Sequence, residues 1–165
     1  MLKKAVQDAI NEQIKGELES AYLYLAMSAY CESASLRGFA HWMRLQCQEE
    51  IGHAMKLFNF LNDRGGRVIL QALAEPPYEF QSPLDMMEQA LKHERKVTGM
   101  INALYELAIK KNDYATQAHL QWFLTEQVEE EKTAQELVEQ LKMLGDQTAA
   151  LLLLDREVGQ RGGAK

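Results

Sequence analysis

Polar residues that can bind a metal ion recur near the middle of every long helical segment in this sequence. Apolar residues at helical spacing predict which side of each segment faces the core, and carboxylate, imidazole or amide side chains interrupt that side. They are Glu17, Glu50, His53, Glu94, Gln127 and Glu130. Buried carboxylates are very costly unless a cation neutralises them, and these helix sides carry no Lys or Arg nearby. The pattern therefore predicts a buried metal site.

The spacing of these residues indicates two related halves. Glu17 and Glu50 are 33 residues apart, and so are Glu94 and Gln127. In each half the second residue is followed three positions later by another potential ligand, a histidine in the first half and a glutamate in the second. Residues three apart share one face of a helix. Two antiparallel helix pairs would bring all six groups to one level of the core, where several carboxylates suit two ions.

Carboxylate oxygens with one imidazole suit iron or manganese better than a thiolate-rich zinc site would. The two cysteines, Cys31 and Cys47, form no metal-binding or redox motif, which indicates a reduced compartment. Glu50 is central in the pattern and is the predicted bridge between the ions. Tyr24 lies seven residues after Glu17 on the same helix face. It is either a core aromatic with a bonded hydroxyl or a hydrogen-bond partner or electron donor beside the metals.

A second acidic set adjoins the first and consists of Glu49, Glu126, Glu129 and Glu130. These residues form either a solvated acidic patch or an additional, looser iron position. The other histidines, His41, His93 and His119, have no matching partners, so we interpret them as surface or boundary residues.

The helical period predicts five helices, covering about residues 3–32, 36–62, 83–109, 115–144 and 148–157. Ser33 or Ser35 is the predicted N-cap of the second helix, and Ser82 that of the third, with Pro83 in its first position. Residues 65–82 carry two prolines and no helical period. A helix of about 27 residues is about 40 Å long, and about 18 extended residues span about 60 Å. This connection can therefore cross the whole bundle, which allows helices two and three to be parallel neighbours.

The fold class predicted is all-α: one domain over residues 1–165, with a four-helix bundle over about 3–144 and a short C-terminal fifth helix. The length of 165 residues suits a single core, and the net charge of −6 argues against nucleic acid as the main partner. The N-terminus lacks a secretory signal and the longest apolar run, residues 149–154, is too short to span a membrane. We therefore expect a cytoplasmic protein. Four consecutive leucines in that run indicate burial between subunits.

The segments IKGELESAYLYLAM, EEIGHAMKLFNFLNDRGG, ALKHERKVT and LQWFLTEQVEEEK resemble bacterial non-haem ferritins, and the resemblance covers essentially the whole chain. It implies a ferritin-like fold and a homo-oligomeric shell of 24 subunits. It also implies iron storage. Fe(II) would be oxidised by O2 or hydrogen peroxide at a di-iron ferroxidase centre within each bundle, and the ferric mineral would be held inside the shell.

The resemblance also assigns roles to residues by position. It implies a first iron site at Glu17, Glu50 and His53. It implies a second at Glu50, Glu94 and Glu130, with Gln127 nearby. It implies a third, as in bacterial ferritins, at Glu49, Glu126, Glu129 and Glu130. Tyr24 matches the tyrosine that the family keeps beside the centre.

Two relatives fit less well. Bacterioferritin repeats the Glu-x-x-His motif on its fourth helix and binds haem through a Met after the first motif's Glu, whereas Gln127, Glu130 and Ile51 stand here. No haem is therefore expected. The small DNA-protecting relatives lack the last helix. The alternative functions are a di-iron oxidase or peroxidase of a small oligomer without mineral storage, and a structural bundle without metal.

Overall fold

The computed structural model describes residues 2–162, and these residues form an all-α fold with no strands. The helices are α1 Lys4–Ser33, α2 Arg37–Asp63, α3 Pro83–Lys110, α4 Tyr114–Leu144 and α5 Thr148–Val158. The predicted fold class is confirmed, and the predicted helix ends lie within one residue of the observed ones. No helix among residues 2–162 is both long enough and apolar enough to cross a membrane.

The long connection between α2 and α3 runs back along α1, as its length predicts. Asn11 donates to the carbonyl of Arg67 (3.0 Å) and accepts from the backbone N–H of Ile69 (2.8 Å). Further along α1, Glu19 accepts from the N–H of Ala74 (3.2 Å). The connection therefore travels in the direction of α1 and delivers the chain to its far end. The hairpins α1–α2 and α3–α4 then pack together mainly through α1 and α3. Helices α2 and α3 run in the same direction, but they are not the neighbouring pair between the hairpins, so that part of the prediction is wrong.

The core is divided into two apolar clusters by a polar layer. One cluster lies toward α5 and includes Met27, Phe39, Met43, Met86 and Met87. The other lies at the opposite end of the bundle and includes Ile10, Leu57, Leu61, Leu120 and Phe123. All the candidate metal ligands of the first set fall between these clusters. Apolar packing on both sides therefore fixes the helices that carry them.

The N-cap predicted for α3 is confirmed, and the one predicted for α2 is wrong. Ser82 accepts from the N–H of Asp85 at 3.1 Å, with Pro83 in the first helical position. Ser33 instead ends α1, and Ser35 adopts a positive φ of 60° in the turn. Neither side chain caps α2, because its cap comes from a distant part of the chain.

Asp155 of α5 supplies the cap of α2. Its carboxylate accepts from the N–H groups of Gly38 (3.1 Å) and Phe39 (2.8 Å), which would otherwise lack partners at the helix start. The helices approach so closely that a Cβ on Gly38 would lie 1.6 Å from the carbonyl oxygen of Asp155. Leu154 and Val158 are buried in this contact, whereas Leu152 and Leu153 are exposed. Burial of the exposed leucines between subunits stays a prediction.

Candidate metal centre

The first half of the candidate centre is formed by α1 and α2 and brings together Glu17, Glu50 and His53. All three side chains are buried, and each offers a ligand atom within 4.8 Å of the others. His53 Nδ1 lies 3.3 Å from Glu50 Oε2 and 3.8 Å from Glu17 Oε2. The three-residue spacing puts Glu50 and His53 on one face of α2, and the antiparallel packing of α1 puts Glu17 opposite them. The structure therefore brings these three predicted residues together, and their role as metal ligands stays a prediction.

Two carboxylate oxygens in this half have no hydrogen-bond partner although they are buried, namely Glu17 Oε2 and Glu50 Oε1. Gln13 donates to the other oxygen of Glu17 at 2.7 Å. Burial, and then the nearby Glu50, raise the pKa of Glu17 to about 8. Burial, followed by the charges of Glu94 and Glu130, raises the pKa of Glu50 well above its ordinary value. Such oxygens are expensive to bury without a cation.

The second half is formed by α3 and α4, and its central carboxylate is fully hydrogen-bonded. Tyr24 donates its hydroxyl proton to Glu94 Oε1, and Gln127 Nε2 lies 3.2 Å from Glu94 Oε2. The same amide lies 3.2 Å from the hydroxyl of Thr98. Burial is the largest cause that raises the pKa of Tyr24 well above its ordinary value, and the negative charge of Glu94 is the next. The phenol therefore keeps its proton. Tyr24 has a buried ring and a bonded hydroxyl, which both interpretations share, so its role beside metal ions stays a prediction.

Glu130 joins the two halves. Gln46 of α2 donates to Glu130 Oε2 at 2.9 Å. Burial and the nearby Glu94 raise the pKa of Glu130 to about 7, although the bond from Gln46 acts in the opposite direction. Glu130 also forms a second donor group with His53 and Glu126, again within 4.8 Å. His53 Nε2 lies 4.0 Å from Glu126 Oε1, so the two ring nitrogens face different carboxylates.

Three predicted glutamate ligands belong to neither donor group within residues 2–162: Glu94, which is buried, and Glu49 and Glu129, which are exposed. The predicted set of Glu50, Glu94 and Glu130 is therefore not among the groups that the structure brings together. Glu49 accepts from Arg161 at 2.6 Å. The role of Glu49 and Glu129 in binding a third ion stays a prediction. The other histidines are half-buried boundary residues, as predicted, and His93 Nε2 lies 2.7 Å from the hydroxyl of Ser20.

Several residues around the centre were missed from the sequence. Gln13 and Gln46 support Glu17 and Glu130, and Arg161 reaches the centre from beyond α5. The two glutamines carry a signal that helical spacing could have provided, because each lies four residues before an inward glutamate and shares its face. Arg161 has no such signal, because its position depends on how α5 docks.

Comparison with known proteins places this geometry in a family. The Ferritin-like domain model matches residues 7–144. The bacterial non-heme ferritin of Bacteroides fragilis is 42% identical over 161 residues, which cover 98% of this chain and 100% of the relative. The chain belongs to the ferritin family. A Staphylococcus aureus bacterial non-heme ferritin is 39% identical over 161 residues, 98% of this chain and 97% of the relative.

Among solved structures, an open pore ferritin of Archaeoglobus fulgidus superposes on this ferritin with a TM-score of 0.97. It is 48% identical, and the match covers 98% of this chain and 99% of that one. The resemblance drawn from the sequence is therefore confirmed for the family and the fold. The donor set is also of the kind that suits iron, since it combines carboxylates with one imidazole.

Proposed function

We propose that this protein is an iron-storage ferritin with ferroxidase activity, which oxidises Fe(II) and keeps ferric mineral inside a shell of 24 subunits. The single observation that carries the proposal is the pair of buried, unpartnered carboxylate oxygens on Glu17 and Glu50 beside His53. A structural bundle would avoid this arrangement, because unpaired buried carboxylates destabilise a core. A metal site, in contrast, uses such unpartnered oxygens, because they are free to bind the incoming cation.

In the proposed centre the first Fe(II) is bound by Glu17 and His53. Glu50 bridges to the second Fe(II), which is bound by Glu94 and Glu130 with Gln127 nearby. The four carboxylates balance the charge of two Fe(II) ions. Each Fe(II) gives up one electron, and O2 or hydrogen peroxide takes up the two electrons together. A third, looser position is proposed at Glu49, Glu126, Glu129 and Glu130.

The protein residues contribute placement, charge and proton balance. Because the pKa of Glu17 is about 8, its carboxyl is mostly protonated at neutral pH before iron arrives. Binding of Fe(II) then releases that proton, as expected when a metal replaces it. Tyr24 and Gln127 hold Glu94 in one orientation through their hydrogen bonds. Neighbours therefore hold both oxygens of Glu94 at the second iron position, whereas at the first position Gln13 holds one oxygen of Glu17 and leaves the other free for the ion.

An aerobic Fe(II) titration of metal-free protein tests the proposal, with oxidised iron and iron that stays in solution with the protein both followed. A storing shell keeps far more iron soluble than the two or three ions per chain that these ligands can hold. Light scattering on the same sample reports whether the particle has the size of a shell. Oxidation that stops at two or three ions, in a small particle, contradicts the storage proposal.

The alternative is an oxidase or peroxidase that acts on a separate substrate, and one surface groove favours it. The groove lies between α3 and α4, has a volume of about 390 Å³, and is lined in part by Thr98, Gln127 and Glu131. A small substrate there would lie beside the second half of the centre. The titration separates the two functions, because a di-iron enzyme oxidises iron only up to the capacity of its sites.

A further inference from the structure

A positive charge from outside the bundle lies against the acidic edge of the centre. Arg161 follows α5, and its Nη2 donates to Glu49 Oε2 at 2.6 Å. Its Nη1 donates to the side-chain carbonyl of Gln46, and its guanidinium lies 4.9 Å from the centre of the Trp42 ring. The Arg161 side chain is about one-third exposed, at 30%. This cation therefore has an acidic, an amide and an aromatic partner at once.

Gln46 connects Arg161 to a proposed iron ligand. Its side chain is completely buried and has one carbonyl oxygen and one amide nitrogen. Because a guanidinium can only donate hydrogen bonds, Arg161 faces the carbonyl and leaves the amide to donate to Glu130 Oε2 at 2.9 Å. The amide orientation is thus fixed from both sides. Arg161 is anchored to the interior as well as to Glu49.

The backbone around Arg161 is also held. Asp155 caps α2 and seats α5 against it. His41 Nε2 lies 3.0 Å from the carbonyl oxygen of Arg161. The docked α5 therefore holds the guanidinium next to Glu49. Because the contact is intramolecular, its effective concentration is higher than that of a free cation in solution.

We propose that Arg161 is a tethered cation that competes with a third metal ion for the carboxylate of Glu49. This inference rests on the proposed function, because it takes Glu49 to be a ligand of that third ion. The third ion binds only when the guanidinium leaves Glu49, so this position is weaker than the two buried ones. Iron at the edge of the centre is consequently released readily, while the buried pair fills first.

Zn²⁺ titration of the metal-free, full-length protein by calorimetry tests the competition without oxidation chemistry. The variant is Arg161→Gln, and the matched control is Arg156→Gln, which removes an equal charge from the exposed side of α5. We expect Arg161→Gln to bind the third ion roughly threefold to tenfold more tightly, the range for a partly exposed, charge-assisted pair. The first two ions bind within about twofold of the unaltered protein in both variants.

A second readout follows the cation itself. In a Trp122→Phe background Trp42 is the remaining tryptophan, and its emission reports whether the guanidinium still covers the ring. The emission should change when the third Zn²⁺ binds, and this step should be absent in Arg161→Gln.

Third-ion affinity in Arg161→Gln that stays within about twofold of the unaltered protein overturns the inference. So does a finding that neither protein binds a third ion. Both results leave iron storage and oxidation at the buried pair intact as long as the first two ions bind, and absence of a third ion removes only the proposed third position. Failure of the unaltered protein to bind those two ions contradicts the proposed function instead.

Discussion

The two halves of the centre share one spacing but differ in how their carboxylates are satisfied. In the half formed by α1 and α2, one oxygen of Glu17 and one of Glu50 are buried without a partner. In the half formed by α3 and α4, both oxygens of Glu94 accept hydrogen bonds, from Tyr24 and Gln127. The first half is therefore open to a cation, whereas the second already has donors in place.

This difference predicts an order of binding. A metal ion at Glu17, Glu50 and His53 relieves an unfavourable state and displaces no hydrogen bond from Glu50 Oε1 or Glu17 Oε2. An ion at Glu94 must share its carboxylate with existing donors. We therefore expect the first half to bind its ion more tightly. Matched spacing along the chain thus gives two positions at one level, but the neighbours decide their affinities.

Glu50→Ala should have the largest effect, because it removes the ligand proposed to serve both ions. Fast Fe(II) oxidation should fall by more than about 100-fold, because about 100-fold is already the largest loss typical of mutating a residue that only supports a metal ligand. Stopped-flow absorbance of ferric product measures it. Gln48→Ala is the matched control, since Gln48 is exposed on the same helix. Fast oxidation that survives in Glu50→Ala, with assembly unchanged, would falsify the assignment of the centre.

His53→Ala and Gln127→Ala compare the two halves directly. Loss of the imidazole should weaken the first ion by about 100-fold, whereas loss of the supporting amide should weaken the second by about tenfold. Anaerobic Fe(II) titration by calorimetry resolves the two steps. The tighter ion should respond to His53→Ala and the looser one to Gln127→Ala. A reversed pairing would show that the unpartnered oxygens do not set the order of binding.

Much of this centre follows from periodicity, and the part that does not follow has a physical reason. Helical spacing placed Glu17, Glu50 and Glu94 inward because burial depends on which face a residue occupies. Whether those carboxylates have partners depends on side chains from other helices, as with Tyr24 and Glu94. That information is not carried by the spacing within one helix.

The ends of elements were predictable only where the signal was local. Ser82 caps α3 from the adjacent position. Asp155 caps α2 from α5, far away in the chain, so the serines next to α2 were the wrong choice. Arg161 was missed for the same reason, because it reaches Glu49 only after α5 has docked.

Tyr24→Phe should have a smaller effect, confined to the second half. It deletes the donor to Glu94 and leaves the buried ring in place, so the fold is kept. The affinity of the second ion should fall by roughly tenfold, the lower end for residues that orient metal ligands. The first ion should be unaffected in the same titration. Tyr30→Phe is the control. The Tyr30 ring packs edge-on against Phe80, with 5.1 Å between the ring centres, at the edge of the apolar cluster toward α5. Equal losses at both ions would contradict a local role for the Tyr24 hydroxyl.

The smallest effect concerns the stability of metal-free protein as a function of pH. The pKa of the Glu17 carboxyl is raised from its ordinary value of 4.5 to about 8 in the folded chain. The folded state therefore holds the carboxyl proton more tightly than the unfolded state does. The stabilisation is complete below about pH 4.5 and is lost as the pH rises through 8. The melting temperature of chelator-treated protein should therefore fall between pH 5.5 and about 8.5.

Glu17→Gln should flatten this slope. Glu94→Gln should flatten it less, because the bonds from Tyr24 and Gln127 offset part of the effect of burial on the Glu94 pKa. Equal flattening by both variants would contradict this comparison, because it would mean that the hydrogen bonds to Glu94 do not reduce the effect of burial on its pKa.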